Sequence, residues 1–220
     1  DEAVPFFSFF LFLVHPVNTE VIAWVSQQGT LVSTMLVLAS IALFLLYFKL
    51  NYRYRFILYS SLLLSAIAPF VKEQLIIAPF IMIGLAFYLQ LSIKNKIEIL
   101  LMYSSTILIN VLTRLYFGVA FSQDGGIFAN QKEALLTMAH GFAYYIRLIY
   151  FPWPLTVNYE GFPFERSISV TVLVSFFVIF GFIFLGYYFR QRDPKITLGV
   201  YWFFVGLLPV NNVVTPLYTT

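Results

Sequence analysis

The residues that could do chemistry are few, and they lie between long apolar runs. His15-Pro16-Val17-Asn18-Thr19-Glu20 follows the run Ala3–Val14, and Lys72-Glu73 splits an otherwise continuous apolar stretch. Later, Glu133, Thr137, His140, Tyr144 and Arg147 step by 4, 3, 4 and 3 residues, which draws one polar stripe on a helix. A titratable group beside a membrane span is costly, so it usually has a partner or a task.

Each candidate has a bland and a chemical use. Lys72-Glu73 is either a short loop whose charges snorkel to the headgroups or a phosphate contact, since Lys binds phosphate as a point charge. His15 suits helix-end capping and interface anchoring. Glu20 could orient a sugar or a catalytic partner at the mouth of a bundle. His140 and Arg147 belong either to a solvated face or to an acceptor groove, where Arg147 could meet a phosphate or carboxylate. Two His and no Cys give no plausible zinc set. There is no Gly-rich phosphate loop and no Ser in a nucleophile elbow, so neither a metal nor a bound cofactor is expected.

The elements that must position these groups are membrane helices. The chain is 60% hydrophobic and 10% charged, against about 45–50% and 25% in soluble domains. Aromatics at 20% suit interfaces where Trp and Tyr collect. A net charge of +3 gives no reason to expect nucleic acid as a partner. The expected fold is all-α, a polytopic transmembrane bundle forming a single domain over 1–220, with the lipid bilayer as its first partner. The terminal apolar runs read as cut short, so the chain is expected to be a piece of a longer protein.

Spans are predicted at Leu31–Phe48, Phe56–Phe70, Leu75–Leu91, Ile97–Phe117, Ser167–Phe189 and Thr197–Val210. Lys49–Arg55, Lys94–Lys96 and Arg190–Lys195 are short basic loops, which mark the cytoplasmic side. From Lys96 the span Ile97–Phe117 runs outward. If Ala134–Phe151 also crossed, Arg190–Lys195 would fall outside. Parity therefore predicts that Ala134–Phe151 is an interfacial amphipathic helix on the extracytoplasmic face, its stripe toward water or a groove. His15–Gln28, Lys72-Glu73, the His140 helix and Pro152–Arg166 then share that outer face.

The motifs also carry a resemblance. His15-Pro16-Val17, Thr19-Glu20 and Ala23-Trp24 resemble the His-Pro-Val-His-Thr-Glu stretch of the membrane O-mannosyltransferases that carry tetratricopeptide repeats, members of the GT-C glycosyltransferase superfamily. Asn18 stands where that family has a second His, and Gln28 and Thr30 where Arg and Asp are common. Lys72-Glu73 is similar to a Ser-Lys-Glu motif, with Val71 in place of Ser. Arg147-Leu148, Phe151-Pro152 and Leu155-Thr156-Val157-Asn158-Tyr159 look like its Arg-Leu, Phe-Pro and Asp-Tyr pattern, with Asn158 for Asp. Trp202-Phe203 and Leu207-Leu208-Pro209-Val210-Asn211-Asn212 are similar to its Trp-Phe and Leu-Leu-Pro-Val-Ser-Asn run, with Asn211 for Ser.

The resemblance implies a GT-C-like bundle that transfers a sugar, mannose by that likeness, from a polyprenyl or dolichyl phosphate to a protein hydroxyl on the extracytoplasmic face. The membrane would be a bacterial inner membrane, or that of the endoplasmic reticulum in a eukaryote. Lys72, Glu73, Glu20, His15, Arg147 and His140 are then expected around the donor phosphate and sugar, with Tyr159 and Asn212 at an acceptor groove. The partners implied are the lipid-linked sugar and an acceptor protein or glycan, with tetratricopeptide repeats beyond Thr220. The catalytic carboxylate of this superfamily sits in a first outer loop, expected to lie outside this stretch. Other readings stay open: another GT-C enzyme, such as an O-antigen ligase or lipid-linked-sugar transferase, or a transporter, which would place charges at mid-membrane in broken helices.

Overall fold

The computed structural model describes residues 3–23, 27–118, 131–155 and 165–208. Among them the chain is helical and forms no strand. In order come α1 (Ala3–Val14), α2 (Thr19–Ala23), α3 (Gln28–Lys49), α4 (Arg55–Val71), α5 (Ala78–Tyr88), α6 (Ile93–Tyr116), α7 (Gln131–Tyr150), α8 (Val170–Phe189) and α9 (Pro194–Leu207). Among the described residues three helices, α3, α6 and α8, are long and apolar enough to cross a membrane. α7, which carries Lys132, Glu133 and Arg147, is not one of them.

Helix ends follow local chemistry. The Ser92 and Ser169 side chains accept the Asn95 and Val172 N–H groups at 3.3 and 3.2 Å and cap α6 and α8, meeting donors that have no partner in a first turn. Asp193 does the same for the Lys195 N–H at 3.2 Å, and Pro194 opens α9. The single span expected over Leu75–Leu91 is instead a 3-10 turn at Glu73–Ile77 followed by the 11-residue α5. Pro79, in the first turn of α5, has no N–H to return to Leu75, which interrupts the α-helical bonding there, although α4 carries Pro69 inside its length. Likewise the span expected at Thr197–Val210 is a 14-residue helix beginning at Pro194.

Packing is tightest between α3 and α4, along a seam of small residues. Ser33 and Ser40 of α3 and Ser61, Ser65 and Ala68 of α4 are fully buried. Small side chains let helix backbones approach, and their hydroxyls bond across where water is absent. The Ser40 hydroxyl donates to the Ser61 carbonyl at 2.7 Å, and the Ser61 hydroxyl to the Ser40 carbonyl at 2.6 Å. Tyr103 of α6 joins them, its hydroxyl 2.6 Å from Ser61 Oγ. The Asn110 amide donates to the Ala66 carbonyl at 3.3 Å. The core around this seam holds Val37, Phe44, Leu58, Met82, Leu85 and Tyr103.

These contacts fix direction. Ser40 lies against Ser61 and Gly29 against Val71, so α3 and α4 are antiparallel. Ser61 lies against Tyr103 and Ala66 against Asn110, so α4 and α6 are parallel. Gly84 meets Tyr201, and Gly186 meets Val200, while the α5–α6 turn brings Lys96 over the Phe87 ring at 4.6 Å. The basic loops at 49–55, 94–96 and 190–195 therefore gather at one end of the bundle. Lys72-Glu73, the start of α3 and the start of α8 lie at the other.

Candidate functional site

The polar end is built from three pieces. The first is the His15 corner. His15 Nδ1 accepts the Val17 N–H at 3.3 Å, and Nε2 lies 3.1 Å from the Ile149 carbonyl. One ring nitrogen accepts, so the other carries the proton and donates. The His15 ring thus caps its own turn and ties it to the C-terminal end of α7. Thr19 Oγ1 donates to the Pro16 carbonyl at 2.6 Å and closes the turn.

The second piece is the α4–α5 junction. Lys72 is extended, partly buried, and keeps only its backbone N–H on the helix, donating to the Ala68 carbonyl at 3.1 Å. Glu73 begins the 3-10 turn and is exposed. Glu20 lies in α2, which packs against the start of α3, as does the junction. Among the described residues no ion pair or hydrogen bond joins the Lys72 or Glu73 side chain to His15, His140 or Arg147.

The third piece is the stripe on α7, which was expected to face water or a groove. Its first half is covered: Glu133 and Thr137 are 5% and 7% exposed. What covers them is the segment leading into α8. His140 Nδ1 lies 3.1 Å from Glu165 Oε1, within ion-pair distance although its N–H is not aimed straight at that oxygen. Ser169 Oγ donates to Glu165 Oε2 at 2.9 Å, and the Glu165 N–H donates to Thr137 Oγ1 at 2.9 Å. Arg166 reaches Glu133 at 3.4 Å. Glu165 thus bridges an imidazole and a hydroxyl, with its own backbone held by the same helix. Arg147 is exposed and lies over the Tyr144 ring at 4.5 Å. Phe142 and Ile146, on the other side, meet Phe204 and the interior.

Glu165, Arg166 and Ser169 are members that reading the sequence for site residues overlooked. The stripe's period did show Glu133 on the face of His140. Nothing local marks Glu165, which stands 25 residues beyond His140. Tyr159 and Asn212, the expected acceptor-groove residues, lie outside the described residues, as do Asn158 and Asn211. Among the described residues no group of His, Asp and Glu is arranged to hold a metal ion.

Chemically, this end offers an imidazole set against a carboxylate, a hydroxyl held by that carboxylate, and separate cations at Lys72 and Arg147. That is equipment for holding a hydroxyl and an anion near a membrane surface. Comparison with family models, with curated proteins and with solved structures returns no match to this chain.

Proposed function

We propose that the chain is the membrane part of a GT-C-type glycosyltransferase, which moves a sugar, mannose by its motifs, from a polyprenyl or dolichyl phosphate to a protein hydroxyl. In this reaction the acceptor oxygen attacks the anomeric carbon, its proton passes to a carboxylate, and the lipid phosphate leaves while cations stabilise it. Lys72 and Arg147 are the cations in this reading. His140, Glu165 and Ser169 shape the acceptor side, and His15 with Glu20 borders the donor. The observation that carries the proposal is the sorting of polarity: the basic loops stand at one end, and the His, Glu, Ser and Lys groups at the other. A transporter built on mid-membrane charges would not need that sorting.

The test is binding of a polyprenyl-phosphate sugar to the wild-type chain, Lys72→Ala and Lys72→Arg, with helicity checked in parallel. A phosphate contact predicts a clear loss for Ala and partial retention for Arg. Unchanged affinity in a folded Lys72→Ala removes Lys72 from the site. Equal, saturable transport of an unrelated solute by reconstituted wild type and Lys72→Ala favours the transporter.

A further inference from the structure

A cavity of about 380 Å³ opens at the basic end of the bundle, away from the polar groups described above. Ile83, Gly84 and Phe87 of α5 line one side, and Leu198 and Tyr201 of α9 the other. Gln90, Arg190 and Thr197 bring polar groups to the lining. Two of its polar groups already have acceptors: the Tyr201 hydroxyl donates to the Phe80 carbonyl at 2.6 Å and Thr197 Oγ1 to the Gly186 carbonyl at 2.7 Å. The interior that remains is largely apolar.

The charges beside the cavity do not cancel. Arg190 lies 3.7 Å from the centre of the Tyr187 ring and reaches only that residue's carbonyl, at 3.5 Å. Lys96 sits over Phe87, a wall residue. Among the described residues neither cation has a carboxylate within ion-pair distance. Asp193, in the 190–195 loop, turns its side chain to the start of α9, accepting the Lys195 N–H.

We propose that this cavity is a binding site for an anionic phospholipid. Its phosphate lies between Arg190 and Lys96, its glycerol region sits on the Gln90 side, and the first part of a chain enters between α5 and α9. The volume is that of a small-ligand site, enough for the headgroup and a short length of chain. One cation in the lining, Arg190, and a second, Lys96, over the wall residue Phe87, beside an apolar slot in a chain with membrane-length helices, match an amphiphile with one negative end. The assignment does not depend on the proposed transfer reaction.

The experiment is native mass spectrometry of the purified 220-residue chain titrated with short-chain phosphatidylglycerol, phosphatidylcholine or glycerol 3-phosphate. One phosphatidylglycerol should bind the wild type more tightly than either other compound. Each cation near a lipid surface is worth about a fivefold change in affinity, so Arg190→Gln and Lys96→Gln should each lose about fivefold and the pair about 25-fold. Arg190→Lys should keep most of the affinity. Arg53→Gln, which removes a charge from another basic loop, should change it by less than twofold. Equal losses in Arg53→Gln and Arg190→Gln would reduce the effect to general surface charge and overturn the site. Glycerol 3-phosphate binding as tightly as the lipid would overturn the lipid assignment. Phosphatidylcholine binding as well as phosphatidylglycerol would overturn the role of the cations.

Discussion

Gly84 gives a sharp test of the packing between α5 and α9. A Cβ added there would fall 2.7 Å from Cδ1 and 3.1 Å from Cζ of Tyr201, inside the roughly 3.5 Å at which non-bonded carbons meet. The ring would have to withdraw by about 1 Å, drawing its hydroxyl off the Phe80 carbonyl. Overpacking of this kind costs about 1–3 kcal/mol, and the lost hydrogen bond about 1 kcal/mol. Against these, Ala in a helix interior is favoured over Gly by about 1 kcal/mol. The net effect of Gly84→Ala should be a loss of about 1–3 kcal/mol. In a Tyr201→Ala background the ring is gone, so the same substitution should stabilise by about 1 kcal/mol. Reversible unfolding in mixed micelles, followed by far-ultraviolet circular dichroism, measures both. A Gly84→Ala cost that is the same in the two backgrounds would mean that the ring is not what excludes a side chain at position 84.

Other outcomes follow from the same contacts. Tyr103→Phe should cost about 0.6–1.7 kcal/mol in the same unfolding assay, since it removes the hydroxyl that Ser61 meets, and Ser61→Ala should cost at least as much because it breaks bonds to both α3 and α6. Gln90, at φ 51°, holds a left-handed conformation that Gly adopts freely, so Gln90→Gly should raise stability by about 1 kcal/mol. Cysteines placed at Asn51 and Glu73 should label from opposite faces of a sealed vesicle, and labelling from one face would undo the separation of basic and polar ends. On the proposed transfer reaction, Glu165→Gln and His140→Ala should each weaken acceptor-dependent sugar transfer without loss of helicity, and the double substitution should do no more than the worse single one if the two act as a unit.

The helices were legible because composition leaves little else. An apolar run long enough to cross a membrane must satisfy its own backbone, and a helix does that within one segment. Leu31–Phe48 and Ser167–Phe189 were readable for this reason, and α3 and α8 fall on them. The break inside Leu75–Leu91 was not, since hydropathy sees Pro79 as one more residue while the backbone sees a missing donor. The seam of Ser33, Ser40, Ser61 and Ser65 was also passed over: spacings of seven and four put each pair on one helix face, but which two helices those faces join is decided only by packing.

The site was legible only where its members share one helix. The spacing of Glu133, Thr137, His140 and Arg147 fixes a common face whatever lies opposite, but it cannot say what lies opposite. The answer came from Glu165, Arg166 and Ser169, which enter from an irregular segment where no period operates. That difference has a physical consequence for the proposed reaction. A stripe open to water holds its charges in a high dielectric, where each interaction is weak. A stripe covered by Glu165 holds a carboxylate and an imidazole partly out of water, where their mutual orientation is worth more. If the polar end binds a sugar hydroxyl, the covering segment and not the helix alone decides how that hydroxyl is held. Substitutions at Glu165 should therefore alter acceptor use more than substitutions at the exposed Arg147, which has no cover to lose.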